Sequence, residues 1–275
     1  MTVHRGRLTS LELVVLWELM SNDKLPFPLT HWPTHQYEED YYRAKRATAE
    51  RLLQYLPADA EQLWEAAVNP DIVIWAAGES PDDETDMSAM TRVVGLRREG
   101  YAVVLVQQPG ETADRGGDID VYETDVAGLA KAVIGQLPKV ERGKQGEIPI
   151  LSEQSNAISA QSDDMDYSYG SSQVLEAIDP PQTRSDRWRN AKATQIGELK
   201  VEPGSGAHWI QDRRGYLVRW RDLVDDGRYL IEPKPNPIAI PVDDKAFERF
   251  VNQRVVELVQ RIRENRPAER DFRVL

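Results

Sequence analysis

The chain has 275 residues, a formal net charge of −12 at pH 7 and no cysteine. The acidic balance argues against a nucleic-acid partner, because phosphate binding needs clustered lysine and arginine. The lack of cysteine excludes disulfides, thiolate metal sites and cysteine nucleophiles. The composition is that of a globular protein, and no segment approaches the roughly 20 apolar residues of a membrane span. We therefore expect a cytoplasmic protein without membrane insertion.

The N-terminal part of the chain predicts three helices. Thr9 and Glu12 form a capping box that opens the first helix, which is apolar nearly all round and should be buried. Two further helices are predicted over residues 36–55 and 59–68. In the longer one, aromatic and apolar residues recur every three or four positions, which indicates a core face or a binding face, and we favour core. The stripe consists of Tyr37, Tyr41, Ala44, Thr48, Leu52 and Tyr55.

Strands dominate the next part of the chain. They are predicted over residues 71–77, 91–98, 101–107 and 118–122. The third strand is continuously apolar, so we expect it to be covered on both faces. The glycine-rich residues 110–117 lack the Gly-Lys-Ser/Thr ending of a phosphate loop and are interpreted as a hairpin turn. Asp125 is the expected N-cap of an amphipathic helix over residues 126–137.

A polar linker divides the chain. Residues 152–173 are rich in Ser, Gln and Asp and are too polar to form a core of their own. Short helices are predicted on both sides of the Pro180-Pro181 pair, over residues 172–179 and 184–192. Strands follow over residues 193–201, 206–211, 216–221, 228–232 and 238–241. The last helix is predicted over residues 243–263.

The clearest local pattern is a hairpin near the end of the second half. Tyr216, Val218 and Trp220 share one face of a predicted strand, and Leu217, Arg219 and Arg221 share the other. The strand breaks at the Asp-Asp-Gly sequence 225–227, and a second strand begins at Arg228. Asp-Gly between two β-prone runs predicts a tight hairpin, since glycine adopts positive φ without steric cost.

Three segments together resemble a known family. The hairpin sequence W-x-D-x-x-x-D-G-R-Y-L, residues 220–230, is similar to the W-D-T-x-x-G-R-Y pattern of the EspG family. It departs from that pattern because Arg221 separates the Trp from the Asp and because Leu223 replaces the family's Thr. The apolar residues 11–19, followed by L-P-x-x-L at 25–29, resemble the family's opening helix and turn. Residues 128–138 resemble its mid-chain helix, which ends in Leu-Pro.

The resemblance implies a fold and a function. EspG proteins are cytosolic chaperones of ESX (type VII) secretion in actinobacteria, with an α+β fold of pseudo-two-fold halves and a central, mostly antiparallel sheet flanked by helical bundles. The implied partner is a helical secreted protein pair, a PE–PPE-like heterodimer that is gripped near the tip of the PPE helical bundle. The implied activity is to keep that pair soluble for export.

The sequence itself also suggests two halves. R-E-G-Y at 98–101 leads into strands and an Asp-capped helix, and R-R-G-Y at 213–216 does the same. Convergent hairpin patterning is the alternative explanation. We predict a single domain over residues 1–275, with quasi-repeat halves at about 1–150 and 174–263 joined by the linker 152–173. We expect a monomer or a homodimer.

Catalytic signatures are missing from the sequence. His31 and His35 have helical spacing, but Pro33 lies between them, so a metal pair there is not favoured. Asp225 and Asp226 lie on a tight turn, where carboxylates are usually solvated. We therefore expect no metal, no cofactor and no enzymatic activity. The alternative hypothesis is a carboxylate-based hydrolase with a site in a sheet-edge cleft.

The expected partner surface combines an acidic loop with the C-terminal helices. Residues 78–88 carry five acidic residues and almost nothing apolar, so this loop should be exposed and available for binding. In the family, the partner docks against the loop after the first sheet strand and against the C-terminal bundle. The residues that these arguments select as partner-binding candidates are Asp82, Asp83, Glu84, Asp86, Met87 and, on the last helix, Val256.

Overall fold

A computed structural model describes residues 1–21, 24–55, 60–151, 180–208 and 210–266. The chain begins with a strand, β1 (Val3–Leu8), which is followed by three helices: α1 (Ser10–Met20), α2 (Glu38–Tyr55) and α3 (Ala60–Val68). The capping box at Thr9 is formed as expected, because the Thr9 hydroxyl accepts from the Glu12 amide while the Glu12 carboxylate accepts from the Thr9 amide. The first half continues as β2 (Ile72–Glu79), β3 (Thr91–Arg98), β4 (Tyr101–Gln107), β5 (Ile119–Thr124) and α4 (Leu129–Ile134).

The second half has the same kinds of element. It consists of β6 (Ile148–Pro149), α5 (Pro181–Asn190), β7 (Ala193–Pro203), β8 (Tyr216–Leu223), β9 (Arg228–Ile231), β10 (Ile238–Pro241) and α6 (Asp244–Glu264). All ten strands form one antiparallel sheet in the order β1-β5-β4-β3-β2-β7-β8-β9-β10-β6. The protein is therefore an α+β structure with a central antiparallel sheet, as the sequence predicts.

The strand order repeats from one half to the other. Each half is a four-stranded meander, with an outer strand that precedes it in sequence and a helix that follows it. The meanders meet where β2 pairs with β7 along the whole length of β2. The equivalent strands are β3 and β8, β4 and β9, and β5 and β10. The equivalence that the sequence suggested, between Tyr101 and Tyr216, is wrong by one strand because Tyr101 begins β4 whereas Tyr216 begins β8. The domain boundaries stay a prediction, since residues 152–179 lie outside the described residues.

Helices cover the two faces of the sheet differently. On one face, which we call the α6 face, α4 and α6 bury a continuous core that includes Ile74, Val104, Trp220 and Phe247. On the opposite face, α1–α3 cover the first half. A smaller cluster around Trp188 of α5 covers the outer part of the second half. The middle of this opposite face, over β2, β7 and β8, lies between the two covered parts.

Several sequence-based elements need correction. Residues 206–211 are not a strand: a 3-10 turn, Ser205–Ala207, occupies the start of this segment. Asp125 does not form the N-cap of α4; that position is Gly128, whose amide donates to the Asp125 carboxylate (2.7 Å). The outer strands β1 and β6 were not predicted. The tyrosine stripe of α2 is only partly core, because Thr48 and Leu52 are buried while Tyr37 is 63% exposed.

The hairpin motif closes around a buried ion pair. Asp222 of β8 and Arg228 of β9 are both 0% exposed, and the Asp222 carboxylate accepts two hydrogen bonds of 2.7 Å from the Arg228 guanidinium. The same guanidinium donates to the Pro138 carbonyl after α4 (2.9 Å) and lies 3.6 Å from Asp244 at the start of α6. Arg228 therefore ties the second meander to both helices of the α6 face.

The turn of the hairpin holds the segment that leads into β6. The Asp226 carboxylate accepts from the Lys144 amide (2.6 Å) and from the Tyr229 hydroxyl (3.0 Å). The Tyr229 hydroxyl in turn accepts from the Gln145 amide (3.0 Å), and burial together with the Asp226 contact raises the pKa of Tyr229 to about 12. Gly227 (φ 149°) has the positive φ that the Asp-Gly signal predicts, and Asp225 (φ 60°) also has a positive φ.

We expect Asp222→Asn to lower the free energy of unfolding by about 3–5 kcal/mol, because it leaves the buried Arg228 guanidinium with only the more distant Asp244 carboxylate, 3.6 Å away, as counter-charge. Urea unfolding followed by circular dichroism measures this loss. Asp40→Asn, which breaks the exposed pair with Arg43 on α2, is the control and should have little effect. Equal stabilities of the two variants would contradict the role assigned to the buried pair.

Candidate functional site

A groove crosses the middle of the face opposite α6, at the junction of the two halves. It encloses about 620 Å³. We use "the groove" for the surface lined by Phe27, Trp75, Ala77, Ile196, Arg221 and Ile231. Most of its floor comes from β2, β7 and β8, so both halves contribute to it. A concave, largely apolar surface with a few polar groups is the usual form of a binding site in proteins.

Strand register arranges the floor in rows. Residues that lie directly opposite each other on neighbouring strands share a face and are spaced by about 4.8 Å. The central row contains one residue from each of five neighbouring strands, which are β3, β2, β7, β8 and β9 in sheet order. These residues are Arg92, Ala77, Glu198, Arg219 and Ile231. A row on one side holds Trp75 and Lys200, and a row on the other holds Ile196 and Arg221. Within the central row, Glu198 accepts from Arg219 at 2.8 Å.

The first wall of the groove is the Leu-Pro-x-x-Leu turn. Phe27, 60% exposed, meets Trp75 edge to face with ring centroids 4.7 Å apart. The turn is held by Gln107 of β4, whose amide oxygen accepts from the Thr30 amide (2.9 Å) and whose amide nitrogen donates to the Thr30 carbonyl (2.7 Å). Arg92 adds a bond to the Thr30 hydroxyl (2.8 Å). Burial lowers the pKa of Arg92.

The second wall is α5, and Arg221 fixes its C-terminal end. The Arg221 guanidinium donates to the carbonyls of Trp188 and Arg189 (3.1 Å each) and of Ala191, and it lies 4.9 Å from the centre of the Trp188 ring. A cation that satisfies the last carbonyls of a helix also complements its dipole. Burial lowers the pKa of Arg221 as well. Both walls are therefore held by side chains that rise from the groove floor.

The acidic loop lies at one end of the groove, as an extension of β2 and β3. Its base is held by Gln195 of β7, which is buried. The Gln195 amide nitrogen donates to the Ala89 carbonyl (2.7 Å) and to the Thr91 hydroxyl (2.9 Å), and its oxygen accepts from the Trp220 indole (3.3 Å). The loop is thus anchored to the same tryptophan that the hairpin motif contains.

The structure separates the predicted partner-binding residues. Asp82, Asp83 and Glu84 are exposed at the loop tip, whereas Asp86 and Met87 are half-buried. The Asp83 and Asp86 carboxylates accept bonds from Thr85 and Ser88, so the loop has hydrogen bonds of its own. Val256 is 55% exposed on α6, on the other face of the sheet from the groove. The loop tip and the groove are neighbours, and Val256 is remote from the groove.

The groove was not predicted from the sequence. Its signals were present, because Trp75, Ala77 and Glu79 alternate with the buried residues of β2, and Ile196 and Glu198 do so on β7. Alternation shows which residues share a face, but it does not show that helices leave this part of the face uncovered. That depends on where α1–α3 and α5 end, which is a property of the tertiary structure.

The other residues considered as candidates for catalysis or metal binding have structural contacts. Asp226 holds the segment before β6, as described above. The His31 ring contacts the Ser10 hydroxyl (3.1 Å) and stacks on Tyr41, and burial lowers the pKa of His31. Among the described residues, no three potential metal ligands are grouped together, and no helix is long and apolar enough to cross a membrane.

Comparison with known proteins gives a family. A model of the EspG family matches residues 9–253, which is most of the chain. The chain belongs to the EspG family. A similar solved structure is that of the Mycobacterium tuberculosis type VII secretion system chaperone EspG5 in complex with PE25-PPE41 dimer, at 12% identity and a TM-score of 0.49 over 98% of both chains. No curated protein matches the chain.

Gln195→Leu should destabilise the junction between the loop and the groove. The change leaves the Ala89 carbonyl, the Thr91 hydroxyl and the Trp220 indole without their shared partner, which should cost about 1–3 kcal/mol. Urea unfolding measures that cost, and hydrogen exchange should become faster in residues 80–90. Gln253→Leu, on the exposed side of α6, is the control. Unchanged exchange in the loop would show that Gln195 does not anchor it.

Proposed function

We propose that this EspG-family protein is a cytosolic chaperone that binds a helical type VII secretion substrate, a PE–PPE-like heterodimer, and keeps it soluble for export. Family membership over residues 9–253 supports the class of function. The observation that supports a binding role for this chain is the groove, which is open, spans both halves and is lined by apolar side chains between fixed walls. A chaperone for a protein pair needs such an uncovered surface to bind its partner.

The groove and the acidic loop together make a surface of adequate size. A stable protein–protein interface buries roughly 1,600 Å² in total. The loop alone is too small for this, but it continues the groove at the end where β2 and β3 leave the sheet. We propose that the partner's tip occupies the groove and contacts the loop through Asp82, Asp83, Glu84, Asp86 and Met87. Val256 would take part only if the partner also reached around to α6.

The alternative, a carboxylate-based hydrolase, has weaker support in the groove. General acid–base catalysis needs a carboxylate with a suitable pKa that is free to approach the substrate. Glu198 is paired with Arg219, and Glu79 is exposed to solvent at the end of β2. These contacts favour a binding surface over a catalytic site.

The chaperone proposal predicts a stoichiometric complex. A PE–PPE heterodimer from the same organism, co-expressed with this chain, should elute with it as one species in size-exclusion chromatography with light scattering. Without the chain, that heterodimer should be less soluble on expression. The hydrolase alternative is tested with the isolated chain in a panel of ester, amide and glycoside substrates. No complex with any PE–PPE heterodimer of the organism would reject the proposal.

The acidic loop predicts a salt-dependent contribution to that binding. Replacing Asp82, Asp83, Glu84 and Asp86 with serine should slow association with the heterodimer at low ionic strength, because the negative charge of the loop no longer steers the partner's basic residues to it. Surface plasmon resonance at two salt concentrations measures the effect. A control for the loss of surface charge replaces three acidic residues at the start of α2, Glu38, Glu39 and Asp40, with serine. An unchanged affinity and salt slope in the folded loop variant would remove the loop from the interface.

A further inference from the structure

The centre of the groove floor is a pit whose base is Ala77. Along β2, its neighbours on the same face are Trp75 and Glu79, two residues away in each direction. Across the sheet, its direct neighbours are Arg92 on β3 and Glu198 on β7. All four have long side chains, so the single methyl group of Ala77 leaves a depression among them. Ala77 is itself half-buried at the bottom of this depression.

Besides the charged Glu79, Arg92 and Glu198, the pit has two apolar neighbours. The Trp75 ring, packed edge to face against Phe27, stands on one side. Ile196, which lies in the next row on β7, stands on the other. With the Ala77 methyl group at its base and the Trp75 ring and Ile196 beside it, the pit fits one aliphatic side chain, because burying each CH₂ group against these apolar groups is favourable by about 0.8 kcal/mol. A polar side chain would lose its hydration without gaining a partner at the base.

The charged groups at the rim of the pit are unequally satisfied. Glu198 and Arg219 pair with each other. Arg92 and Arg221 are half-buried, and their guanidinium groups donate to carbonyls, to a hydroxyl and to the Met90 sulfur. Among the described residues, no carboxylate lies within ion-pairing distance of either. Asp114 acts through space on Arg92 and Asp82 on Arg221, but both carboxylates are exposed, so water screens them. The buried Nε of Arg221 has no hydrogen-bond partner among the described residues. The floor beside these two arginines therefore favours an incoming negative charge.

We propose that the groove binds its protein partner through one aliphatic side chain that enters the pit over Ala77, accompanied by a carboxylate of the same segment that faces Arg92, Arg219 and Arg221. The partner segment is a loop or helix tip, since two walls limit the groove to a narrow element. This inference rests on the proposed chaperone function and specifies which side chains of the partner the groove binds. Ala77 determines specificity by its small size.

Filling the pit tests the first part. Ala77→Leu should weaken binding of the purified PE–PPE heterodimer by tenfold or more, about 1.4 kcal/mol or more, while the melting temperature stays close to that of the wild type because Ala77 borders solvent. Ala47→Leu, on the exposed side of α2, is the matched control and should bind as the wild type does. Ala77→Val adds a smaller side chain and should weaken binding to an intermediate extent. It provides the test if the Ala77→Leu variant folds poorly.

The sign of the charge is tested by splitting one ion pair in both directions. Glu198→Gln leaves Arg219 unpaired, and Arg219→Gln leaves Glu198 unpaired. A carboxylate on the partner predicts about threefold tighter binding for Glu198→Gln and about threefold weaker binding for Arg219→Gln at low salt, as expected for one exposed pair. The opposite order would show that the partner brings a cation, and equal affinities would show that no charge is recognised there. Either result overturns this part.

The outcomes separate this inference from the proposed function. A wild-type chain that binds no PE–PPE heterodimer rejects the chaperone proposal itself. If the wild-type chain binds the heterodimer and a folded Ala77→Leu variant binds it equally well, the proposed pit is rejected and the chaperone proposal is not. Isothermal titration calorimetry of all variants against the same heterodimer gives both answers from one set of measurements.

Discussion

The pairing of β2 with β7 is the contact on which the rest of the structure depends, because it joins the two meanders into one sheet. A pair of glycines, Gly78 and Gly197, face each other in this pairing. The Trp220 indole lies against both on the α6 face, so close that a Cβ on Gly78 would lie 2.8 Å from the ring and one on Gly197 only 2.2 Å from it. The large ring and the two missing side chains therefore require one another. Their packing closes the α6 side of the junction and leaves the groove on the other side.

This arrangement explains why the hairpin motif is so informative. Trp220 packs over the junction, Asp222 and Arg228 form the buried ion pair, and Gly227 makes the turn. Each residue of the motif acts on a different part of the fold. Replacing any one of them would disturb contacts between elements far apart in sequence. A local pattern of this kind predicts a family because it carries tertiary constraints.

Other features could not be predicted from local patterns. The helices and most strands follow from capping, periodicity and turn signals, and α6 begins one residue after its expected cap at Asp243. By contrast, β6 consists of two residues that become a strand only because β10 pairs with them. Residues 206–211 were predicted to be a strand, but a 3-10 turn, Ser205–Ala207, begins after Gly204. The acidic loop was predicted from its composition. The groove beside it depends on where α1–α3 and α5 end, which is a property of the tertiary structure.

The groove is preorganised by polar contacts rather than by its apolar lining. Gln107 and Arg92 hold the wall that carries Phe27, Arg221 holds α5, and Gln195 holds the base of the loop. A surface that is already fixed loses little entropy when a partner binds, which favours affinity from a modest area.

We propose that the partner binds on the face opposite α6, across the β2–β7 junction. Hydrogen exchange of the chain, alone and in complex with a PE–PPE heterodimer, tests this most directly. We expect slower exchange in residues 75–79, 194–198 and 24–30, together with the loop 80–90, and unchanged exchange along α6. Protection confined to α6 and α4, with the groove strands unchanged, would contradict it.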